Sequence, residues 1–186
     1  MLLQFYWLWT YSDPLSLLAS LAVATWRLKL NGENWRSIGL KHDVSHLNLF
    51  LWTLGALIIT ILMGNIAGEI ASSIITKPES LSKELTTYTQ NRFAYIPGNL
   101  SLYLMWVAMS WIIGGLTEEL LFRGFLISRF ESLLSKLSLA IVYAIIIQAI
   151  IFGQQHMYYQ GVIGFVEVGI IGVVSGVIYV LCKRRL

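Results

Sequence analysis

The chain has 186 residues, of which 56% are apolar and 12% charged, with a mean hydropathy of +0.69. An average soluble domain carries about twice that charged fraction, so a soluble globular domain and a disordered chain are both excluded. The net charge of +3 and pI of about 9.0 come from scattered single basic residues, which excludes a nucleic-acid surface. What remains is a single membrane domain over residues 1–186: an all-α, polytopic bundle of about five spans in contact with the lipid bilayer. The one cysteine, Cys182, permits neither an internal disulfide nor a cysteine metal cluster and reads as a packing residue.

The start, MLLQFYWLWTYSDP, lacks the basic residues and small-residue cleavage site of a signal peptide, so it reads as mature sequence. Residues 2–26 are a first span with a kink or break at Asp13-Pro14, because proline removes a backbone donor. The segment Asn31–Asp43, with Trp35 and Ile38 among charges, reads as interfacial, tryptophan lying at headgroup level. His42 and His46 beside it suit a solvated role. Residues 44–68, 93–117 and 137–166 hold no Asp, Glu, Lys or Arg, which predicts helices over roughly 49–75, 99–130 and 138–157. A further span covers about 161–182, interrupted by Glu167. Gly64-xxx-Gly68 and Gly172-xxx-Gly176 each put two glycines on one helix face, which predicts close packing inside the chain rather than dimerisation.

Five alternating spans gather Arg27, Lys29, Arg36, Lys41, Arg123, Arg129, Lys136, Lys183, Arg184 and Arg185 on one side. Only Lys77, Lys83 and Arg92 fall on the other. Positive charge favours the cytoplasmic side, so the expectation is a multi-pass protein of the plasma membrane with a cytoplasmic C-terminus.

Charges inside a span are costly and usually functional. Four acids lie in or near spans: Glu69, Glu118, Glu119 and Glu167. In Glu118-Glu119-Leu120-Leu121-Phe122-Arg123, Glu119 and Arg123 are four apart, acid first, the favoured order for a helical ion pair. Glu118, rotated by about 100° on an α-helix, has no obvious cation. A poorly solvated carboxylate gains proton affinity and can act as a base. Two readings stand at this point: Glu119 is structural and Glu118 chemical, or both share Arg123 at the interface. Downstream, Phe152 and His156 are also four apart and share a face. Residues 118 and 156 are equidistant from residue 137, inside the expected turn Glu131–Ser138. In an antiparallel hairpin Glu118 and His156 then lie level, roughly 20–25 Å from the turn.

EELLFR (Glu118–Arg123) followed by FGQQH (Phe152–His156) resembles the EExxxR and FxxxH motifs of the CAAX protease and bacteriocin-processing (CPBP) family of intramembrane proteases. The resemblance covers roughly residues 35–186, with the motif core within 99–182. It implies a helical bundle with an internal polar cavity, in which Glu118 activates water for attack on a peptide carbonyl and His156 assists. Glu119, Arg123 and Phe152 would support that site. The substrate it implies is a membrane peptide or a prenylated peptide. No cofactor is expected: there is no HExxH and there are too few histidines for a three-histidine zinc site, though a weakly bound catalytic metal stays open. The family's further His-xxx-Asn or His-xxx-Asp motif has no counterpart here, since no histidine follows His156. The expectation is therefore an endopeptidase, or a C-terminally truncated relative with reduced activity; the alternative is a non-catalytic protein that binds a membrane peptide or confers bacteriocin immunity. An ion or proton pathway is a third reading, for which Glu69, Glu118 and Glu167 are too few to form a continuous line.

Overall fold

The computed structural model describes residues 2–40, 45–76, 87, 90 and 93–182. Of the residues singled out above, Lys41, His42, Lys77, Lys83, Arg92, Lys183, Arg184 and Arg185 lie outside this set. The described residues form helices and no strand. We name the helices α1 (Leu2–Leu30), α2 (His46–Ile74), α3 (Leu100–Leu133), α4 (Ala140–Met157) and α5 (Gln160–Leu181).

Four segments are long and apolar enough to cross a membrane: Phe50–Ile74 within α2, and all of α3, α4 and α5. They correspond to the spans expected over roughly 49–75, 99–130, 138–157 and 161–182; each is built mainly on a run poor in ionised groups, which is what tolerates hydrocarbon. The fifth helix, α1, corrects one expectation. It runs unbroken from Leu2 to Leu30 through Asp13-Pro14. A proline costs one backbone hydrogen bond and crowds the preceding turn, and here that does not end the helix.

Helix α3 starts at a proper cap. The Asn99 side chain accepts from the Leu102 backbone N–H at 3.0 Å, just after Pro97-Gly98 turns the chain. Helices α4 and α5 belong to one run, Ala140–Leu181, with no loop between them; its backbone breaks at Gly161, the second residue of α5 (φ 68°, ψ −165°). That backbone conformation is open to glycine and costly for any residue with a Cβ. The reversal sets α5 antiparallel on α4 through small residues: Gly172 against Ala149, Gly176 against Ile145, and Gly153 against Phe165 and Gly169. Gln148, fully buried, donates from Nε2 to the Gly172 carbonyl at 2.7 Å inside this seam. On the other side of α5, Gly64 and Gly68 of α2 meet Ile171 and Glu167. Both glycine pairs thus serve packing within the chain.

The segment between α1 and α2 folds back onto one end of the bundle. Trp35 Nε1 donates to Thr25 Oγ1 of α1 at 3.1 Å. Glu33 pairs with Arg129 of α3. The buried Tyr179 hydroxyl of α5 donates to the Ile38 carbonyl at 2.8 Å. The first connecting segment, the end of α3 and the end of α5 therefore meet at the same end of the bundle, as alternating spans require. Tyr179→Phe removes the hydroxyl that donates to the Ile38 carbonyl. It is expected to lower stability by about 1–3 kcal/mol, read as a lower midpoint of unfolding in detergent.

Candidate active site

Helix α3 changes character at Ser110, about two turns before its first charge, Glu118. Ser110–Thr117 and Glu119–Leu126 are π-helical, while Leu100–Met109 and Ile127–Leu133 are α-helical. Inside the first stretch the buried Thr117 hydroxyl donates to the Ile112 carbonyl, five residues back, at 2.8 Å. π-Helix is rare, occurs mostly as single turns and concentrates at functional sites. Each turn takes in roughly four to five residues rather than 3.6. Arg123 follows Glu119 by four residues and Glu118 by five, so both carboxylates stand about one turn from it.

The contacts agree. Glu119 Oε1 lies 3.4 Å from Arg123 Nη1. Arg123 also interacts electrostatically with Glu118. Glu118 is therefore not left without a cation, as an α-helical projection of the motif suggests: it stands within electrostatic range of the same guanidinium. Arg123 itself is almost wholly buried at 1% exposure, whereas the Glu119 side chain is 44% exposed and Glu118 half-buried.

Helix α4 supplies the opposite wall. The Arg123 guanidinium carbon lies 4.5 Å from the centre of the Phe152 ring, a cation–π arrangement in a desolvated setting. Phe152 meets Phe122 edge-to-face with ring centres 4.9 Å apart, and meets His156 in the same manner at 5.0 Å. His156 Nδ1 is 3.0 Å from the Phe152 carbonyl oxygen. A carbonyl only accepts, so Nδ1 carries the proton and the Nε2 of a neutral ring keeps its lone pair. Arg123 and His156 are also within electrostatic range of one another.

The site therefore gathers Glu118, Glu119, Arg123, Phe152 and His156, with Arg123 as the shared neighbour. The structure adds a contributor that the motifs do not name. Phe122 and Phe152 belong to a buried cluster with Ala24, Leu121 and Val168, and Leu17, Leu21 and Trp35 pack against it. Helix α1 and the Trp35 segment thus back the site wall. Glu167 lies instead against Gly68, between α5 and α2, and Glu69 is exposed on α2. Among the described residues no three of His, Cys, Asp and Glu gather as a metal-ligand group.

Comparison with known families now bears on this arrangement. Residues 100–186 match the family described as type II CAAX prenyl endopeptidase Rce1-like. The Rce1-like match begins at the first residue of α3 and spans α3, α4 and α5, so it contains every residue of the site. It agrees with the family that the two motifs resemble. No curated protein and no solved structure matches the chain. Helices α1 and α2 lie outside the Rce1-like region, although α1 packs directly behind its aromatic wall.

Proposed function

We propose that this protein is an intramembrane endopeptidase in which Glu118 activates a water molecule for attack on a peptide carbonyl, with His156 as its polar partner. The observation that carries the reading is the register of α3 against α4. Phe122 and Phe152, equidistant from residue 137, are in ring contact. Glu118 and His156 share that midpoint one turn further from the α3–α4 turn, and this register supports a reading in which they stand level across the site. Glu118 takes a proton from water and returns it to the departing amine, while the Nδ1 contact of His156 holds the imidazole ready to accept or donate at Nε2. The Rce1-like region supports peptide hydrolysis at the level of the family. A prenylated C-terminal peptide, embedded by its lipid in the same bilayer, is the substrate class this reading favours. We place the protein in the plasma membrane with its C-terminus in the cytoplasm.

The test is cleavage of a prenylated peptide by the protein reconstituted in lipid vesicles. The parent is expected to cleave it, His156→Ala to lose most of that activity, and Glu69→Gln, altered on the exposed face of α2, to retain it. A parent that binds the peptide with no turnover would instead identify a non-catalytic peptide-binding or immunity protein.

A further inference from the structure

The Arg123 guanidinium presents an imbalance that the roles above leave unexplained. It is 1% exposed, yet its Nε and Nη1 make no hydrogen bond. Buried donors are nearly always hydrogen-bonded, and the ion pair with Glu119 leaves these two without an acceptor. Glu119 does not resolve this: its carboxylate stands 3.4 Å from Nη1 without closing a hydrogen bond, and its side chain is 44% exposed. The Phe152 ring covers the guanidinium but offers it no acceptor.

We propose that these N–H groups receive the oxygen of the scissile carbonyl as negative charge develops on it. This deepens the endopeptidase reading and rests on it. The position of Arg123 favours a reacting carbonyl: its guanidinium lies 4.5 Å from the centre of the Phe152 ring and within electrostatic range of Glu118 and His156, so it borders the place where water would attack. The loosely held Glu119 carboxylate is the group that yields the guanidinium edge to an incoming oxygen. In the step itself, the oxygen of water bonds to the carbonyl carbon and its proton passes to Glu118. The carbon–oxygen π pair moves onto the carbonyl oxygen, which accepts from Arg123. Collapse then expels the amine, which takes the proton from Glu118. A fixed, desolvated donor is worth most at this stage, and losing one typically costs about 10²–10³ in rate.

The experiment compares the parent with Arg123→Lys and Arg123→Gln in vesicles. It measures kcat and KM for a prenylated peptide, and Kd for the same peptide carrying a phosphinate in place of the scissile amide. Arg123→Gln is expected to lower kcat by about 10²–10³ with KM within a few-fold, and to weaken phosphinate binding by a similar factor. Affinity for the intact peptide, measured in the Glu118→Gln background, should not change. Arg123→Lys should fall between parent and Arg123→Gln in both kcat and phosphinate affinity. Unchanged phosphinate affinity in a folded Arg123→Gln would overturn the proposal while leaving Glu118 as the base. So would a loss confined to KM that disappears for a peptide with an amidated C-terminus, since that outcome assigns Arg123 to the terminal carboxylate. If the parent itself shows no cleavage, the endopeptidase reading fails first, and phosphinate binding that depends on Arg123 still reports on the anion site.

Discussion

Glu118→Gln is expected to lower peptide cleavage by about 10²–10⁴-fold, the usual contribution of a positioned general base, with little effect on folding. Glutamine keeps the size and hydrogen-bonding reach of the side chain but cannot take a proton from water. Glu119 is the carboxylate paired with Arg123 at 3.4 Å, which sets it to a positioning role. Glu119→Gln should therefore reduce activity less than Glu118→Gln, and should act in part through the packing of Arg123. The measurement is kcat for both variants in the same vesicle preparation, with the midpoint of unfolding as a control. Equal losses in the two variants would mean that the carboxylates work as one pair. Full activity in Glu118→Gln would move the base elsewhere.

The difference between the two carboxylates shows where the sequence speaks and where it does not. The apolar spans are legible because a membrane forbids ionised groups, and their absence leaves a direct mark on the chain. The register of α3 on α4 is legible for a similar reason. A short turn fixes which residues stand level, and Phe122 does meet Phe152. The π-helical path of α3 is not legible. Residues of 110–126 carry no local pattern that separates five-residue from four-residue hydrogen bonding, and the choice rests on what the helix packs against. Along that path Arg123 stands within electrostatic range of Glu118 as well as paired with Glu119. The contribution of α1 is hidden for the same kind of reason. Leu17, Leu21 and Trp35 are ordinary apolar residues in sequence, and only packing reveals that they back Phe122 and Phe152. The join between α4 and α5 was visible as a short turn at 157–161, but only the positive φ of Gly161 shows how the chain reverses without a loop.

Gly153→Val is expected to destabilise the protein more than any other single exchange in the α4–α5 seam. A Cβ at residue 153 would stand 2.6 Å from the Phe165 carbonyl oxygen and 3.2 Å from the Gly169 Cα and N. These are backbone atoms, so no side-chain rotation relieves the contact and the two helices must move apart. Overpacking of this kind costs about 1–3 kcal/mol when a core can adjust, and a rigid backbone neighbour places the cost at the upper end. In lipid the effect is sharpened, because close backbone approach between small residues is itself a main source of helix association. Gly55→Val on α2 is the matched control: a Cβ there meets nothing within 4 Å. Its effect should stay within about 0.5 kcal/mol, as at other sites without a packing role. The consequence of Gly153→Val should reach the site as well. Phe152 precedes it directly and His156 lies one turn on, so a shift of α4 moves both the ring under Arg123 and the imidazole. Activity is therefore expected to fall together with the unfolding midpoint in Gly153→Val. In Glu118→Gln it falls alone, and this contrast separates loss of the helical frame from loss of the chemistry it holds.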